Sequence, residues 1–202
     1  MSEMVILSAQ EFLAEGTDRK CYRHPTRPDC CIKVLHPHRR PDRFWREIRY
    51  FSSLRRRHVD FRHIAEYRGW VETSFGPGAL FDLVRDDDQR VSRSLEHYLQ
   101  LNDPDFNRRI AAEIENLKQD LFDQWIIVND LNPTNILLQR LGFDSFRLVL
   151  IDGVGHNHVI PLANYSRVFA RKELTRKWNR RMPQWYSPYP DVLKQLKPYP
   201  TI

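Results

Sequence analysis

The chain has 202 residues, enough to bury one core or two small lobes. Its 41% hydrophobic content is ordinary, and its 29% charged content is too well mixed with aromatic residues for a disordered chain. A formal net charge of +6 allows an anionic partner, which could be nucleic acid, a phosphorylated ligand or a membrane surface. No apolar run approaches the roughly 18 residues of a membrane span, and no basic leader begins the chain, so we expect a cytoplasmic protein without a membrane span.

The first third of the chain is predicted to contain strands around one helix. Residues 13–25 are a turn flanked by strand-capable residues, and residues 29–37 are a short β-rich run that ends at a proline. Residues 41–57 begin with a Pro-Asp start signal and carry apolar residues at helical spacing, so they are predicted to form a helix. The predicted order up to this point is therefore strand, strand, helix.

A hairpin and then an acidic break are predicted next. Residues 64–84 contain Gly76-Pro77-Gly78, which is a turn signal between two strands. The charged segment 85–90, with the sequence RDDDQR, then separates the β-rich part of the sequence from the part with predicted helices. We therefore place a β-rich N-lobe at residues 1–84 and a second lobe at residues 85–202.

The second lobe is predicted to be mainly helical. Residues 94–102 are a short helix candidate, and residues 103–125 form the clearest helix of the chain, with an Asp-Pro start and one apolar stripe. Two short strands are predicted at 135–140 and 146–153, and a basic helix at about 163–181. The predicted fold class is therefore α+β.

The loop within residues 126–140 (IIVNDLNPTNILLQR) carries the most informative spacing. Asp130 and Asn135 lie five residues apart between two apolar runs. A plain surface turn would also favour Asn, Asp and Pro. The same residues match the D-x-x-x-x-N part of the catalytic loop of a kinase, in which the acid orients the acceptor hydroxyl and the amide holds Mg²⁺.

The remaining parts of a phosphotransfer site have candidates at consistent places. Lys33 lies mid-strand, where a cation would reach nucleotide phosphates, and Glu47 on the first helix could hold it in an ion pair. Asp152 ends an apolar strand 22 residues after Asp130 and is followed by a glycine, as a metal-binding aspartate would be. Asp130, Asn135 or Asp152 taken alone favours a structural turn. The same residues taken together, in this order along the chain, favour a phosphotransfer site. We therefore expect ATP and Mg²⁺ as cofactors, with Asn135 and Asp152 holding the metal.

The turn that would cover the phosphates is poor in glycine. The segment AEGTDR keeps only Gly16, where a complete glycine-rich loop has two more glycines. Arg19 could supply a charge in place of the missing backbone contacts. We therefore include Gly16 and Arg19, with Lys33 and Glu47, among the expected nucleotide-binding residues.

The chain resembles the YrbL family of PhoP regulatory network proteins, which are short bacterial kinase-like proteins. The resemblance covers nearly the whole chain, and it implies a protein-kinase-like two-lobed fold with a β-rich N-lobe and a reduced, mainly helical C-lobe. It also implies nucleotide binding and a poorly defined substrate. The segments that carry it are RKCY (19–22), CIKV (31–34), REIRY (46–50), VET (71–73), NPTNIL (132–137) and IPLANYS (160–166).

Two departures from protein kinases bear on the substrate. Asn132 stands where protein kinases carry a lysine on the transferred phosphoryl group, and only 49 residues follow Gly153, which is short for a platform that docks peptides. These departures favour phosphate transfer to a small-molecule hydroxyl or to the protein itself. The alternative is a catalytically weak or inactive pseudokinase that acts as a nucleotide-sensing or protein-interaction module.

The other polar clusters carry weaker expectations. Cys21, Cys30 and Cys31 form no disulfide framework or zinc spacing, so we expect reduced thiols. His156 and His158 favour a solvated turn or a loop beside magnesium over zinc. The basic final helix favours an anionic acceptor or an acidic protein partner, whereas nucleic acid is the less favoured partner because no recognisable binding motif is present. Its basic residues are Arg167, Arg171, Lys172, Arg176 and Lys177.

Overall fold

The first half of the chain is a five-stranded antiparallel sheet with one helix. The structure is a computed structural model that describes residues 4–155 and 166–200. The sheet has the order β1-β2-β3-β5-β4, and helix α1 (Asp42–Arg56) connects β3 to β4. The helix lies where it was predicted, but three strands precede it instead of the predicted two. The strands are β1 (Phe12–Glu15), β2 (Arg19–Arg23), β3 (Cys30–Leu35), β4 (Tyr67–Thr73) and β5 (Gly76–Asp82).

Strand β3 lies at the centre of this sheet and is buried on both faces. Ile32 and Val34 belong to a small cluster on one face, whereas Cys31 belongs to the main core on the other. Side chains alternate along a strand, so Lys33 shares the face of Cys31. Lys33 is thereby directed toward the side of the sheet on which the main core lies.

The β4–β5 hairpin differs in detail from the prediction. Thr73 pairs with Gly76, so the turn consists of residues 74–75, and the predicted turn glycines Gly76 and Gly78 lie inside β5. A side chain at Gly78 would meet Ile32 at 2.6 Å, so the close approach of two strands explains this glycine better than a turn does.

The second half of the chain has helices around a three-stranded sheet in the order β6-β7-β8. The predicted helices and strands are confirmed within a few residues, and β6 and α5 are additions. The elements are β6 (Arg93–Ser94), α2 (Leu95–Leu99), α3 (Pro104–Asp123), β7 (Ile136–Gly142), β8 (Ser145–Leu150), α4 (Arg167–Tyr186) and α5 (Pro190–Leu193).

Helix boundaries follow from capping and from burial. The Asp103 side chain accepts hydrogen bonds from the N–H groups of Asp105 (3.0 Å) and Phe106 (3.1 Å), which confirms the predicted start of α3. Helix α4 extends beyond the predicted end at residue 181 because Met182 and Tyr186 are buried in the core. The predicted residues 163–165 lie outside the described ranges.

The two halves share one hydrophobic core. A parallel bridge joins Ile64 to Leu150 of β8, and the N–H of Ala65 donates to the Leu150 carbonyl at 2.8 Å. The main core contains Phe81 of β5, Leu117 of α3 and Trp178 of α4. The predicted boundary between residues 84 and 85 therefore stays a prediction. In residues 4–155 and 166–200, no helix is both long and apolar enough to cross a membrane.

Candidate functional site

Two short backbone segments pair at the centre of the candidate site. Val128 and Val154 form an antiparallel bridge, the Asn129 N–H donates to the Gly153 carbonyl (2.7 Å), and the Gly155 N–H donates to the Ile127 carbonyl (2.9 Å). This pairing places the segment before Asp130 alongside the segment after Asp152. The two aspartates, 22 residues apart in sequence, are thereby brought together.

Gly153 is required for this close approach. Its φ is +78°, which favours glycine, and an added Cβ would lie 2.7 Å from the Asp130 carbonyl oxygen and 2.9 Å from the Asp130 Cβ. Any side chain at position 153 would therefore displace the backbone of Asp130. The Asp-Gly pair in the sequence is explained by this contact.

The loop around Asp130 is built from side chains that bond nearby backbone. Asp130 Oδ1 accepts from the Asn132 N–H at 3.0 Å, and Asn132 Oδ1 accepts from the Thr134 N–H at 3.1 Å. Asn132 thus caps the 3-10 turn Pro133–Asn135. This role accounts for an asparagine at the position where a protein kinase has a lysine.

Asn135 lies next to Asp152 through a backbone contact. The Ile151 N–H donates to the Asn135 carbonyl at 3.0 Å. The partly buried side-chain amide of Asn135 has no hydrogen-bond partner among the residues described. The two predicted metal ligands are therefore held on adjacent backbone, and the amide oxygen of one of them is open.

Lys33 reaches the same place from the sheet. It pairs with Cys21 of β2 and Ala79 of β5, and 7% of its surface is exposed. Its ammonium donates to the carbonyl of Ile151, the residue before Asp152, and lies 4.4 Å from the centre of the Phe81 ring. A buried cation therefore lies beside the candidate metal ligand.

Arg19 forms ion pairs with two carboxylates of the site at once. Its Nη1 contacts Glu47 Oε2 at 2.6 Å, and its Nη2 contacts Asp152 Oδ1 at 2.5 Å. The side chains of Arg19 and Glu47 are only 12% and 11% exposed, whereas that of Asp152 is 43% exposed. The guanidinium therefore joins β2 and α1 to the segment that follows β8.

The expected ion pair between Lys33 and Glu47 is wrong for this structure. In the described part of the chain, the ion pair of Glu47 is with Arg19. The planar guanidinium of Arg19 presents two donors that bind two carboxylates at once, which a compact ammonium cannot match in geometry. Lys33 is instead bound to the Ile151 carbonyl.

These cations keep Asp152 ionised. Burial alone would raise the pKa of Asp152, but Lys33, Arg19 and the Gly153 N–H (2.7 Å from Oδ1) together hold the pKa well below its ordinary range. Asp152 Oδ2 receives no hydrogen bond from the described residues. One carboxylate oxygen is thus open on a group that is charged at neutral pH.

The turn with Gly16 is bound tightly to its neighbours. The Gly16 N–H donates to the Arg19 carbonyl at 2.8 Å, and the Nε2 of His36 lies 3.1 Å from the Gly16 carbonyl oxygen. A Cβ added at Gly16 would have its nearest neighbour at 3.8 Å. Unlike Gly153, Gly16 is therefore not required by local packing, and its amide is occupied within the turn.

The residues fit a magnesium–nucleotide complex with one restriction. Asp152 and Asn135 offer oxygen ligands, which Mg²⁺ prefers, and Lys33 offers a cation for phosphate. Arg19 occupies Asp152 Oδ1, so a divalent cation would compete with it there. Among the residues described, no group of three or more His, Cys, Asp or Glu side chains could hold a metal, so phosphate and water oxygens would complete the coordination. His156 and His158 lie outside those residues.

Helix α4 contributes a contact that sequence reasoning missed. Lys177 Nζ lies 2.5 Å from Asn129 Oδ1 and 2.8 Å from Glu173 Oε1, and burial lowers its pKa. Lys177 was expected only as part of a basic surface. No local pattern in that basic helix distinguishes it from its neighbours.

Tyr50 is a second residue that was missed. Its hydroxyl oxygen accepts from the Ile127 N–H at 2.7 Å, and burial raises its pKa to about 12. Tyr50 therefore stays neutral at physiological pH and ties α1 to the start of the candidate loop. It lies within the REIRY segment, which was noted only for the resemblance.

A solved structure identifies the class of fold. The kinase domain of Mycobacterium tuberculosis PknI, solved as a cysteine-to-alanine mutant, superposes with a TM-score of 0.53 at 16% identity, covering 94% of this chain and 77% of that domain. This similarity shows the fold alone. The chain therefore has a protein-kinase fold, as the sequence predicted.

The family follows from sequence comparison. The pattern that describes the PhoP regulatory network protein YrbL matches residues 5–185. The YrbL proteins of Escherichia coli K12 and Shigella flexneri are each 33% identical over 181 residues, which is 88% of this chain and 86% of theirs. The chain belongs to the YrbL family.

Proposed function

We propose that the chain is a cytoplasmic kinase-like protein that binds ATP with Mg²⁺ and transfers phosphate to a small-molecule hydroxyl or to itself. The observation that carries the proposal is the backbone pairing of residues 127–129 with residues 153–155. It brings the acid, Asp130, next to the metal-ligand candidate, Asp152, beside the buried Lys33. A turn with only a structural role would not need this convergence.

Each residue has a distinct role in this proposal. Lys33 binds phosphate oxygens, and Asn135 and Asp152 hold Mg²⁺, which when bound neutralises phosphate charge. Asp130 orients the acceptor hydroxyl and accepts its proton. The acceptor oxygen forms a bond to the γ-phosphorus while the bond from that phosphorus to the bridging oxygen breaks, and ADP leaves.

The contact between Arg19 and Asp152 makes a metal requirement part of the proposal. Phosphates brought near the ionised Asp152 would be repelled unless a cation lay between them. Arg19 supplies that cation in the described state, and Mg²⁺ would replace it on the carboxylate. Arg19 would keep its contact with Glu47, and its freed Nη2 would face the phosphates.

Asn132 bears on the class of acceptor. Its side chain caps a turn and bonds Thr134, so it brings no cation to the transferred group as a protein kinase lysine does. A small hydroxyl compound or a side chain of the protein itself is therefore the proposed acceptor. The exposed basic residues of α4, such as Arg167, Lys172 and Arg176, favour an anionic acceptor or an acidic protein partner.

The second candidate is a pseudokinase module within the PhoP regulatory network named by the family. Two observations favour it: Arg19 occupies Asp152, and the Gly16 amide is occupied within its own turn. Such a module would bind nucleotide or a partner without turnover.

A thermal-shift titration with ATP, with and without Mg²⁺, tests nucleotide binding. We expect ATP to raise the melting temperature only with Mg²⁺ or Mn²⁺, and Asp152→Ala to remove the dependence on metal. If the melting temperature does not change when millimolar ATP and Mg²⁺ are added, neither the kinase nor a pseudokinase that binds nucleotide is supported.

An ATP-turnover assay then separates the two candidates. Asp130→Asn should leave ATP affinity nearly unchanged and lower turnover by roughly 10²–10⁴-fold, the usual contribution of a positioned acid or base. Asp105→Asn, at a side chain that is 88% exposed on α3, is the matched control and should behave as wild type. Equal background turnover in wild type and Asp130→Asn, with ATP binding retained, selects the pseudokinase module.

A further inference from the structure

An open cavity of about 470 Å³ lies where the first sheet meets the linker (residues 83–92) that joins β5 to β6. The cavity shares no lining residue with the set of predicted site residues. Its volume is in the range of pockets that bind small molecules. The lining residues come from β2, the linker, β6, α2 and β7: Arg23, Asp86, Arg90, Val91, Arg93, His97, Tyr98 and Arg140.

The cavity is strongly cationic. Four of its lining residues are arginines, and Asp86 is the only carboxylate among them. Asp86 is 5% exposed and already bonded to Arg140 Nε at 2.8 Å and to Ser92 Oγ at 2.6 Å. Its charge is therefore committed to Arg140. The neighbouring Asp88 pairs with Arg140 (2.7 Å) and lies 3.9 Å from Arg90, so these carboxylates do not neutralise Arg23 and Arg93.

Two of those arginines are available to a ligand. Arg23 and Arg93 have exposed side chains and form no ion pair with any described residue. Arg93 Nη1 lies 2.8 Å from His97 Nε2, so a neutral His97 accepts from it and orients the guanidinium. Their remaining N–H donors can bind an anion.

The wall of the cavity is fixed in advance. Arg140 is held by Asp86 and by Asp88 Oδ2 at 2.7 Å. The linker is held by Arg85, whose Nε donates to the Pro28 carbonyl (2.8 Å) and whose Nη1 donates to the Gln89 carbonyl (2.7 Å). A ligand would therefore lose little affinity to ordering Arg140 and Arg93, whereas the exposed Arg23 would become ordered on binding.

We propose that this cavity is a binding site for a small anion that carries two or more phosphoryl charges. Arginine forks match phosphoryl oxygens in bidentate geometry, and several arginines around one cavity fit a diphosphate better than a single charge. The Tyr98 ring and Val91 add an apolar wall on which an organic part of the ligand would pack. The proposal does not depend on ATP binding at the other site.

Occupation of this cavity would link the two halves of the protein. Arg23 belongs to the first sheet, whereas Arg93 and Arg140 belong to the second. An anion bound by all three would hold the two sheets at one distance and would stabilise the folded state by mass action.

Calorimetric titration with inorganic pyrophosphate, with EDTA present to exclude metal-dependent binding, tests the proposal. We expect one saturable site in the wild type. The double variant Arg23→Gln/Arg93→Gln should raise the Kd at least about tenfold, since each lost bond to a charged group typically weakens binding by that order. Arg108→Gln, which removes an exposed arginine of α3 outside the cavity, is the matched control and should leave the Kd unchanged.

Further results would support or overturn the proposed anion site. Lys33→Met should retain pyrophosphate binding, and a loss there would place the binding in the other site and overturn the proposal. Wild type that shows no saturable binding up to about 10 mM pyrophosphate, or a double variant that binds as tightly as wild type, also overturns it. If the double variant melts well below wild type, the single variant Arg23→Gln, at an exposed side chain without an ion pair in the described part of the chain, replaces it and must weaken binding.

Discussion

At the scale of single residues, Arg19 determines the electrostatics of the candidate site. One guanidinium neutralises Glu47 and Asp152, two acids that come from different parts of the chain. Among the described residues, Lys33 is thereby left without a carboxylate in direct contact and rests on a backbone carbonyl. Lys33 can therefore approach a phosphate without first breaking an ion pair, whereas Arg19 must release Asp152 before a metal can bind both carboxylate oxygens.

The low pKa of Asp152 gives a prediction about stability and pH. A carboxyl whose pKa is lower in the folded state stabilises the protein above its unfolded pKa of about 3.9, and this contribution is lost as the pH falls toward the folded value. Asp152→Asn should thus cost about 1 kcal/mol at pH 7, a modest value because solvent screens a side chain that is 43% exposed. The difference should shrink below about pH 4.

Urea denaturation at pH 7, 5 and 3.5 measures this difference. Asp105→Asn is the control, because its 88% exposed side chain should cost less than about 0.5 kcal/mol at every pH. A loss for Asp152→Asn that is the same at pH 7 and pH 3.5 would show that the charge of Asp152 does not stabilise the fold.

Two glycines in the candidate site are predicted to respond differently to alanine. At Gly153 an added Cβ would strike the backbone of Asp130, and the φ of +78° is unfavourable for alanine, so we expect a loss of about 1–3 kcal/mol. At Gly16 the nearest atom is 3.8 Å away, so the change should lie within about 0.5 kcal/mol. Denaturation midpoints of the two variants test this, and equal losses would contradict it.

At the scale of elements, helix α4 supports the loop that carries Asp130. Lys177 bonds Asn129 and Glu173 and is only 17% exposed, whereas Lys172 on the same helix is exposed. The loop is thereby held on one side by α4 and on the other by Tyr50 of α1. Its geometry depends on two helices that are distant from it in sequence.

Replacing Lys177 should loosen this loop. Lys177→Met keeps the side-chain length but leaves Glu173 and Asn129 without this cation, so we expect a loss of about 1–3 kcal/mol. Hydrogen exchange of the amides of residues 127–130 should become faster. Lys172→Met is the matched control, and if its exchange rates in this loop rise as much as those of Lys177→Met, the support from α4 is not specific.

The sequence predicts elements and local spacings well and long-range partners poorly. The D-x-x-x-x-N spacing and the Asp-Gly pair after an apolar strand correctly indicate a kinase-like fold. Both patterns can be read from the sequence because each lies within a short segment. The ion pair of Glu47 could not be predicted, because it depends on how α1 rotates against β2. The α4 contact and the cationic cavity likewise join residues that are distant in sequence, and no spacing indicates them.

At the scale of the whole molecule, one main core joins the two halves of the chain. Buried residues of the first sheet, α3 and α4 belong to the same cluster, so each half buries much of its apolar surface against the other. The bridge between Ile64 and Leu150 adds backbone hydrogen bonds across the same junction. We therefore expect one cooperative unfolding unit, even though the polar groups of the candidate site come from both halves of the chain.

Native-state hydrogen exchange of a core variant tests this unit. Leu117 on α3 is 1% exposed, and Leu117→Ala should lower the free energy of unfolding by about 2–5 kcal/mol. If the molecule unfolds as one unit, the slowest amides of β3 in the first sheet should exchange faster by the same factor as those of α3, because both exchange through global unfolding. Leu101→Ala, at a residue that is 61% exposed, should change neither. Protection that is lost in α3 and kept in β3 would show two separate folding units and would support the predicted boundary after residue 84.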